Sequence, residues 1–215
     1  MGLKERGMKR NNIILMVTVL IGLPLLFWAV GDFPRRTVLK EVFSVLTLIA
    51  LSMMIGQFFI TGSNRKMFQV KSMAKLVKFH KIFGYVFVGV LLLHPFLIVF
   101  PRYFESGVEP MEALTTLLTT FNSTGVILGI IAWLLILIIG LTSSFRNKLP
   151  MKYTSWRLLH GILSIIFIIV ASWHAIDLGR HTNVPMSVFI IILSGSGVIL
   201  LIKTYFSKPH NNRIK

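Results

Sequence analysis

The sequence predicts an all-α integral membrane protein, a six-transmembrane-helix bundle with both termini cytoplasmic. Three observations predict it. Of 215 residues, 54% are hydrophobic, and the mean hydropathy is +0.77, which no soluble domain of this size carries. Apolar runs recur near residues 13–30, 38–60, 82–100, 121–142, 158–177 and 185–202, each close to the length that crosses a hydrocarbon core as a helix. The charged residues fall on alternate connections between those runs.

The first run follows a basic start and resembles a secretory signal. It ends in Ala29-Val30-Gly31-Asp32-Phe33-Pro34, a poor cleavage site, so it reads as a retained span. Pro24 lies inside this span and Pro95 inside the third, where neighbouring helices can accommodate the lost hydrogen bond. Pro34, Pro101, Pro150 and Pro185 fall in loops or at span edges. The stretch 101–120 is the longest outer connection, with room for a short surface helix; the loop 61–81 is the most basic. Residues 1–12 read as a basic cytoplasmic N-terminus, 13–206 as one six-helix domain and 207–215 as a cytoplasmic tail.

A net charge of +16 invites a nucleic-acid reading. The distribution argues against one. With the N-terminus inside, all 23 basic residues but Arg35, Arg36, Lys40, Arg102 and Arg180 are cytoplasmic, and of the seven acids only Glu5 is. This is the positive-inside pattern of a plasma or inner membrane protein. The excess charge serves topology and contact with the lipid bilayer, with no nucleic-acid partner. There are no cysteines, which removes disulfides, iron–sulfur clusters, thiolate-ligated haem and thiol catalysis.

The chemistry lies in four histidines. His80 and His94 are 14 residues apart, and so are His160 and His174. At about 100° and 1.5 Å per residue, each pair lies on one helix face with its rings about 21 Å apart, inside a hydrocarbon core of about 30 Å. Spans 3 and 5 run in the same direction. His80 and His160 then share the cytoplasmic level, and His94 and His174 the outer one. Two such helices offer two stacked bis-histidine sites, suited as axial ligands of two haems. A single membrane histidine is often a structural hydrogen-bonder; four at matched spacing and depth are not accounted for that way. Zinc or copper would need three or four converging ligands, whereas a porphyrin brings its own nitrogens.

Other residues join the constellation. Gly84, one turn after His80, and Gly161, beside His160, leave room for a flat macrocycle or serve close packing. Phe87 and Phe167 each lie seven residues from both histidines of their span; they fill the gap between levels or simply pack the core. Trp173 packs over the outer haem edge or joins the interfacial belt. Haem propionates could pair with Lys78, Lys81, Lys152 and Arg157 inside, and with Arg102, Arg180 and His181 outside. Each of these is equally an ordinary interfacial charge. His181, in a loop, and His210, in the tail, are not read as ligands.

At Phe79-His80-Lys81-Ile82-Phe83-Gly84 to Leu93-His94-Pro95, and at Trp156-Arg157-Leu158-Leu159-His160-Gly161 to Trp173-His174-Ala175, the chain resembles the ferric reductase-like transmembrane domain. That superfamily includes ferric reductases, NADPH oxidases and the haem-binding subunit of a periplasmic methionine sulfoxide reductase system. The resemblance covers about spans 2 to 6. It implies two b-type haems, an inner one on His80 and His160 and an outer one on His94 and His174. It also implies electron flow from a cytoplasmic reduced flavin to an acceptor outside. Ferric reductases and NADPH oxidases carry a flavin- and nicotinamide-binding domain after the last span. Here about a dozen residues follow it without a Gly-rich dinucleotide motif. The expectation is therefore an oxidoreductase component using free reduced flavin or a cytosolic flavoprotein reductase, with FMN or FAD on that partner or at the inner surface. The alternatives are a haem-binding subunit feeding a separate extracytoplasmic reductase and, in another class, a haem-free transporter or scaffold. Spans 1, 2, 4 and 6 offer few polar groups for a transport path; Gln57, near the inner end of span 2, is the exception.

Overall fold

The computed structural model describes residues 10–34, 36–60, 73–119, 121 and 123–206. Residues 1–9, the loop 61–72 and the tail 207–215 with His210 lie outside them. Among the described residues the regular structure is all helix, and six of the helices are long and apolar enough to cross a membrane. With no water in the bilayer core, a helix is the form that satisfies its backbone groups within one segment.

The first span is broken into three parts: α1 (Arg10–Val17), a π-helical turn (Thr18–Gly22) and α2 (Leu23–Ala29). The break has a local cause. Pro24 has no N–H to donate and its ring crowds the preceding turn. The chain widens to a π turn immediately before it, and Pro24 enters the first turn of α2, where a missing N–H costs nothing. The second span is α3 (Val38–Gly56). Its C-terminal half is the best buried stretch of the protein, with every residue from Ala50 to Gly56 inside. Gln57 is buried at its end and donates Nε2–H to the Met53 carbonyl at 3.4 Å.

The third span differs from the sequence expectation. α4 (Met73–Ser106) is one continuous helix that carries both Pro95 and Pro101 in its interior. Pro101 was expected at a span edge. It lies inside because the helix continues beyond the apolar run. Trp133 of the next span donates Nε1–H to the Leu92 carbonyl at 2.9 Å, fastening the turn before Pro95. The connection after α4 holds the short helix α5 (Pro110–Thr119), as its length suggested. Then come α6 (Thr124–Ser144), a 3₁₀ turn (Arg146–Lys148), α7 (Tyr153–Leu178) and α8 (Val184–Phe206).

The core is built from all the spans. Leu20, Leu51, Met54, Ile136, Phe167, Ile168 and Leu193 form its buried centre, with Phe83, Phe87 and Leu91 of α4 packed against it. The most extensive helix pairings are α6 with α7 and α3 with α4. α4 and α7, the two histidine helices, are not among the close backbone pairs. α4 is less buried in the bundle than α7.

Candidate functional site

The four histidines meet in two pairs across the space between α4 and α7. The ring centres of His80 and His160 are 6.3 Å apart with the planes at 79°. Those of His94 and His174 are 6.4 Å apart at 77°. All four rings are partly buried. The matched spacing thus becomes two stacked levels of nearly the same geometry.

Each ring has its own support. His174 Nδ1 is 2.7 Å from the Gly125 carbonyl of α6. A carbonyl only accepts, so Nδ1 carries the proton and Nε2 keeps its lone pair. Gly129, one turn further along α6, makes room: a Cβ there would sit 2.6 Å from His174 Cε1. His160 Nδ1 is 3.2 Å from the Ser143 hydroxyl, and its ring stacks on Trp156 at 5.2 Å. His94 Nδ1 is buried without a hydrogen-bond partner.

These pairs suit a flat macrocycle. With metal–imidazole bonds of about 2 Å and each ring nitrogen about 1.1 Å from its ring centre, two imidazoles on opposite sides of one iron have centres about 6.2 Å apart. Gly84 and Gly89 of α4 face open space, with nothing within 4 Å of an added Cβ. Among the described residues no three His, Asp or Glu side chains converge as a bare-ion site. The His80 level has the open space of Gly84 one turn away, and both levels present two facing imidazoles, a donor set that fits haem.

The other sequence-predicted residues divide. Phe167 is 3% exposed and Phe87 packs on the same core cluster, so both rings are core between the levels. Gly161 does not leave room for a macrocycle: a Cβ there would strike the Tyr205 hydroxyl of α8. Arg157 is exposed, with its guanidinium 5.5 Å from the centre of the Tyr205 ring and its carbonyl accepting the Tyr205 hydroxyl at 2.7 Å. Trp173 is 62% exposed and faces away from the bundle.

At the His94 end, the cations that share a small pocket with His94 are Arg36 and Lys40 of the α3 side, together with Ser44 and Thr47. Arg180 instead donates to the Pro34 carbonyl at 3.2 Å. His181 is 4% exposed, with Nε2 3.0 Å from Glu41 Oε2. Trp28 Nε1 donates to the same carboxylate at 3.3 Å. Burial lowers the His181 pKa from its usual value; Glu41 opposes this, and Arg36 and Arg180 add to it. Sequence reasoning missed Ser143, Gly125 and Gly129. The available signal was the Gly-x3-Gly pattern on α6, a small-residue face that lets another helix come close.

Six helices long and apolar enough to cross a membrane, with two facing pairs of imidazoles among them, make this a multi-pass membrane protein. The chain belongs to the family of ferric reductase-like transmembrane components, whose sequence model matches residues 46–171. The match takes in His80, His94 and His160 and stops three residues before His174. An uncharacterised protein of Archaeoglobus fulgidus is 39% identical over 160 residues, covering 74% of this chain and 87% of that protein. No solved structure matches. Membership of this family points in general terms to transmembrane electron transfer.

Proposed function

We propose that the chain carries electrons across the membrane through two b-type haems, one held by His80 and His160 and the other by His94 and His174. The supporting observation is the pair of ring separations, 6.3 and 6.4 Å, repeated at two levels with the ring planes near perpendicular. His80 with His160, and His94 with His174, would hold the two haems, which when bound would supply one-electron redox chemistry.

The protein's part is holding and tuning. Gly125 fixes the His174 tautomer through its carbonyl, and Gly129 allows the ring its position. Ser143 orients His160. Gly84 keeps the space beside His80 open. Phe87 and Phe167 pack the interval between levels and keep it dry. Arg157 stands at the end of the bundle nearest His160, where an anionic propionate would find a cation.

We place the His80 level at the cytoplasmic face. Lys75, Lys78, Lys81, Arg146, Lys148, Lys152, Arg157 and Lys203 lie at that end, while Asp32, Glu41, Glu109, Glu112 and Asp177 lie at the other. Electrons then enter from a cytosolic flavin or flavoprotein donor and leave to an extracytoplasmic acceptor or a partner reductase subunit. The test is an optical spectrum of the purified protein, oxidised and then dithionite-reduced, with haem counted per chain. A sharp reduced α-band at two haems per chain is the expected result. No haem, after expression with haem supplied, overturns the reading.

A further inference from the structure

An open groove of about 580 Å³ runs along the first turns of α4, lined by Ala74, Val77, Lys78, Lys81, Ile82 and Tyr85. It is not part of the histidine site. At about 100° per residue, Lys78, Ile82 and Tyr85 lie about 140–160° around the helix from His80, on the side turned away from the imidazole pair. Lys78 and Lys81 stand one turn apart and are exposed. Among the described residues neither has a hydrogen-bond or ion-pair partner. The connection leading into α4, 61–72, has Arg65, Lys66 and Lys71 and no acid. The acids Asp32, Glu41, Glu109, Glu112 and Asp177 lie toward the other end of the bundle. Beyond the lysines this side of the helix turns apolar. Val77, Ile82 and Tyr85 are about half exposed. Gly89, one turn past Tyr85, leaves a notch, with nothing within 4 Å of an added Cβ. Lys81 to Gly89 is eight residues, about 12 Å of rise, which fits within one leaflet, half of a core of about 30 Å.

We propose that this groove holds one anionic phospholipid, its phosphate on Lys78 and Lys81 and an acyl chain along Ile82, Tyr85 and Gly89. The site stands whether or not the chain conducts electrons. Two unpaired ammoniums one turn apart call for an anion. Side chains on a helix lean toward its N-terminus, which carries both lysine heads toward the membrane surface and leaves their stems along the groove. The apolar strip below calls for a hydrocarbon chain on the same ligand. A zwitterionic lipid brings a cation of its own next to the lysines and fits less well. An acidic soluble protein would pair with the lysines and leave the strip inside the leaflet uncovered. The positive-inside pattern accounts for the charge alone; it does not call for a groove that joins two lysines to an apolar slot. α4 is also less buried in the bundle than α7, so a lipid fastened along it completes the packing of the helix that carries His80 and His94.

The experiment is native mass spectrometry of the delipidated full-length protein in detergent, titrated with dioleoyl phosphatidylglycerol or dioleoyl phosphatidylcholine. Saturable retention of about one phosphatidylglycerol per chain is expected, at least fivefold tighter than phosphatidylcholine. Lys78→Gln with Lys81→Gln should weaken phosphatidylglycerol at least fivefold and bring the two lipids within twofold of each other. The control is Lys148→Gln with Lys152→Gln, which removes the same charge from the α6–α7 corner at the same end of the bundle and should leave phosphatidylglycerol within twofold of wild type. Far-ultraviolet circular dichroism of both double variants should match wild type, which reports an intact bundle. Equal retention of the two lipids by wild type, or retention that never saturates, overturns the proposal. Equal losses in the two double variants also overturn it, since the charge of the whole face would then be responsible. Inorganic phosphate at a hundredfold excess should leave the lipid in place; displacement would make the lysines a free-anion site and overturn the lipid assignment.

Discussion

The His80–His160 and His94–His174 pairs share their spacing, separation and ring angle and differ in what holds the rings. At the His94 end the support is backbone: the Gly125 carbonyl accepts a hydrogen bond from His174 Nδ1–H, and Gly129 gives the ring its space. At the His80 end the support is side chain: a Ser143 hydroxyl on Nδ1 and the Trp156 ring against the imidazole. A carbonyl can only accept, whereas a hydroxyl accepts or donates. His174 therefore has a fixed tautomer, and His160 has one that a single substitution can alter. Identical spacing in the sequence produces two sites of the same shape and different adjustability.

Removing a ring is the largest change that can be made to the comparison. His80→Ala or His160→Ala should cost the haem of one level, and His94→Ala or His174→Ala that of the other. Haem per chain falls from two to one in each case, and pyridine haemochrome counting checks it. Loss of both haems from every single variant would mean that the levels are not independent.

Next are the glycines, where the two ends should respond in opposite ways. Gly129→Ala drives a methyl into the His174 ring. Overpacking of this kind costs about 1–3 kcal/mol, so the haem-free protein should itself melt at a lower temperature. Gly84→Leu meets open space in the protein alone. Its haem-free melting should match wild type, while haem loading at the His80 level drops. A Gly84→Leu variant that loads both haems would show that the macrocycle does not occupy that space.

Much of this was legible from residue types and spacing. The six spans followed from apolar run length, and the two levels from a shared 14-residue interval on parallel helices. The supports were not legible, because they come from α6, which has few polar residues and no ionisable one between Thr124 and Ser144. A backbone carbonyl bonding a histidine leaves no side-chain signature, and a glycine making room for a ring looks like any helix-packing glycine. Gly161 was open between cofactor room and close packing, and the space beside it belongs to Tyr205. Two outer cations that the sequence did not point to have a topological origin. Arg36 and Lys40 are far from His94 in sequence, yet they line its pocket because α3 packs along α4.

Ser143→Ala sharpens the comparison without destroying either level. It removes the hydroxyl on His160 Nδ1 and touches nothing at His174. A net hydrogen bond is worth about 1 kcal/mol, which for a one-electron couple is on the order of 40 mV. The midpoint potential of one haem should move by a few tens of mV while the other stays fixed. Redox titration followed at the α-band reads both. Equal movement of the two potentials would mean that Ser143 acts through the bundle as a whole and not through His160.

The smallest expected effect belongs to the end that has a fixed tautomer. His181 joins the α7–α8 loop to Glu41 of α3, with Trp28 of α2 on the same carboxylate and Phe33 edge-on to the imidazole at 4.7 Å. Its pKa in the folded protein is lowered, with burial outweighing the Glu41 carboxylate. The folded state thus favours the neutral ring more than the unfolded chain does. Its contribution to stability is complete above the unfolded value of about 6.5 and is lost as pH falls below that toward the folded value. The melting temperature of the detergent-solubilised protein should therefore fall from pH 8 to pH 5, and His181→Gln should flatten that slope. His174 stands on α7, the helix that leads into the His181 loop, and its level should share the loss. Haem should leave that level before it leaves His80–His160 as the buffer is acidified. The reverse order of release would place the weaker level at the Ser143 end and disconnect the loop contact from the site.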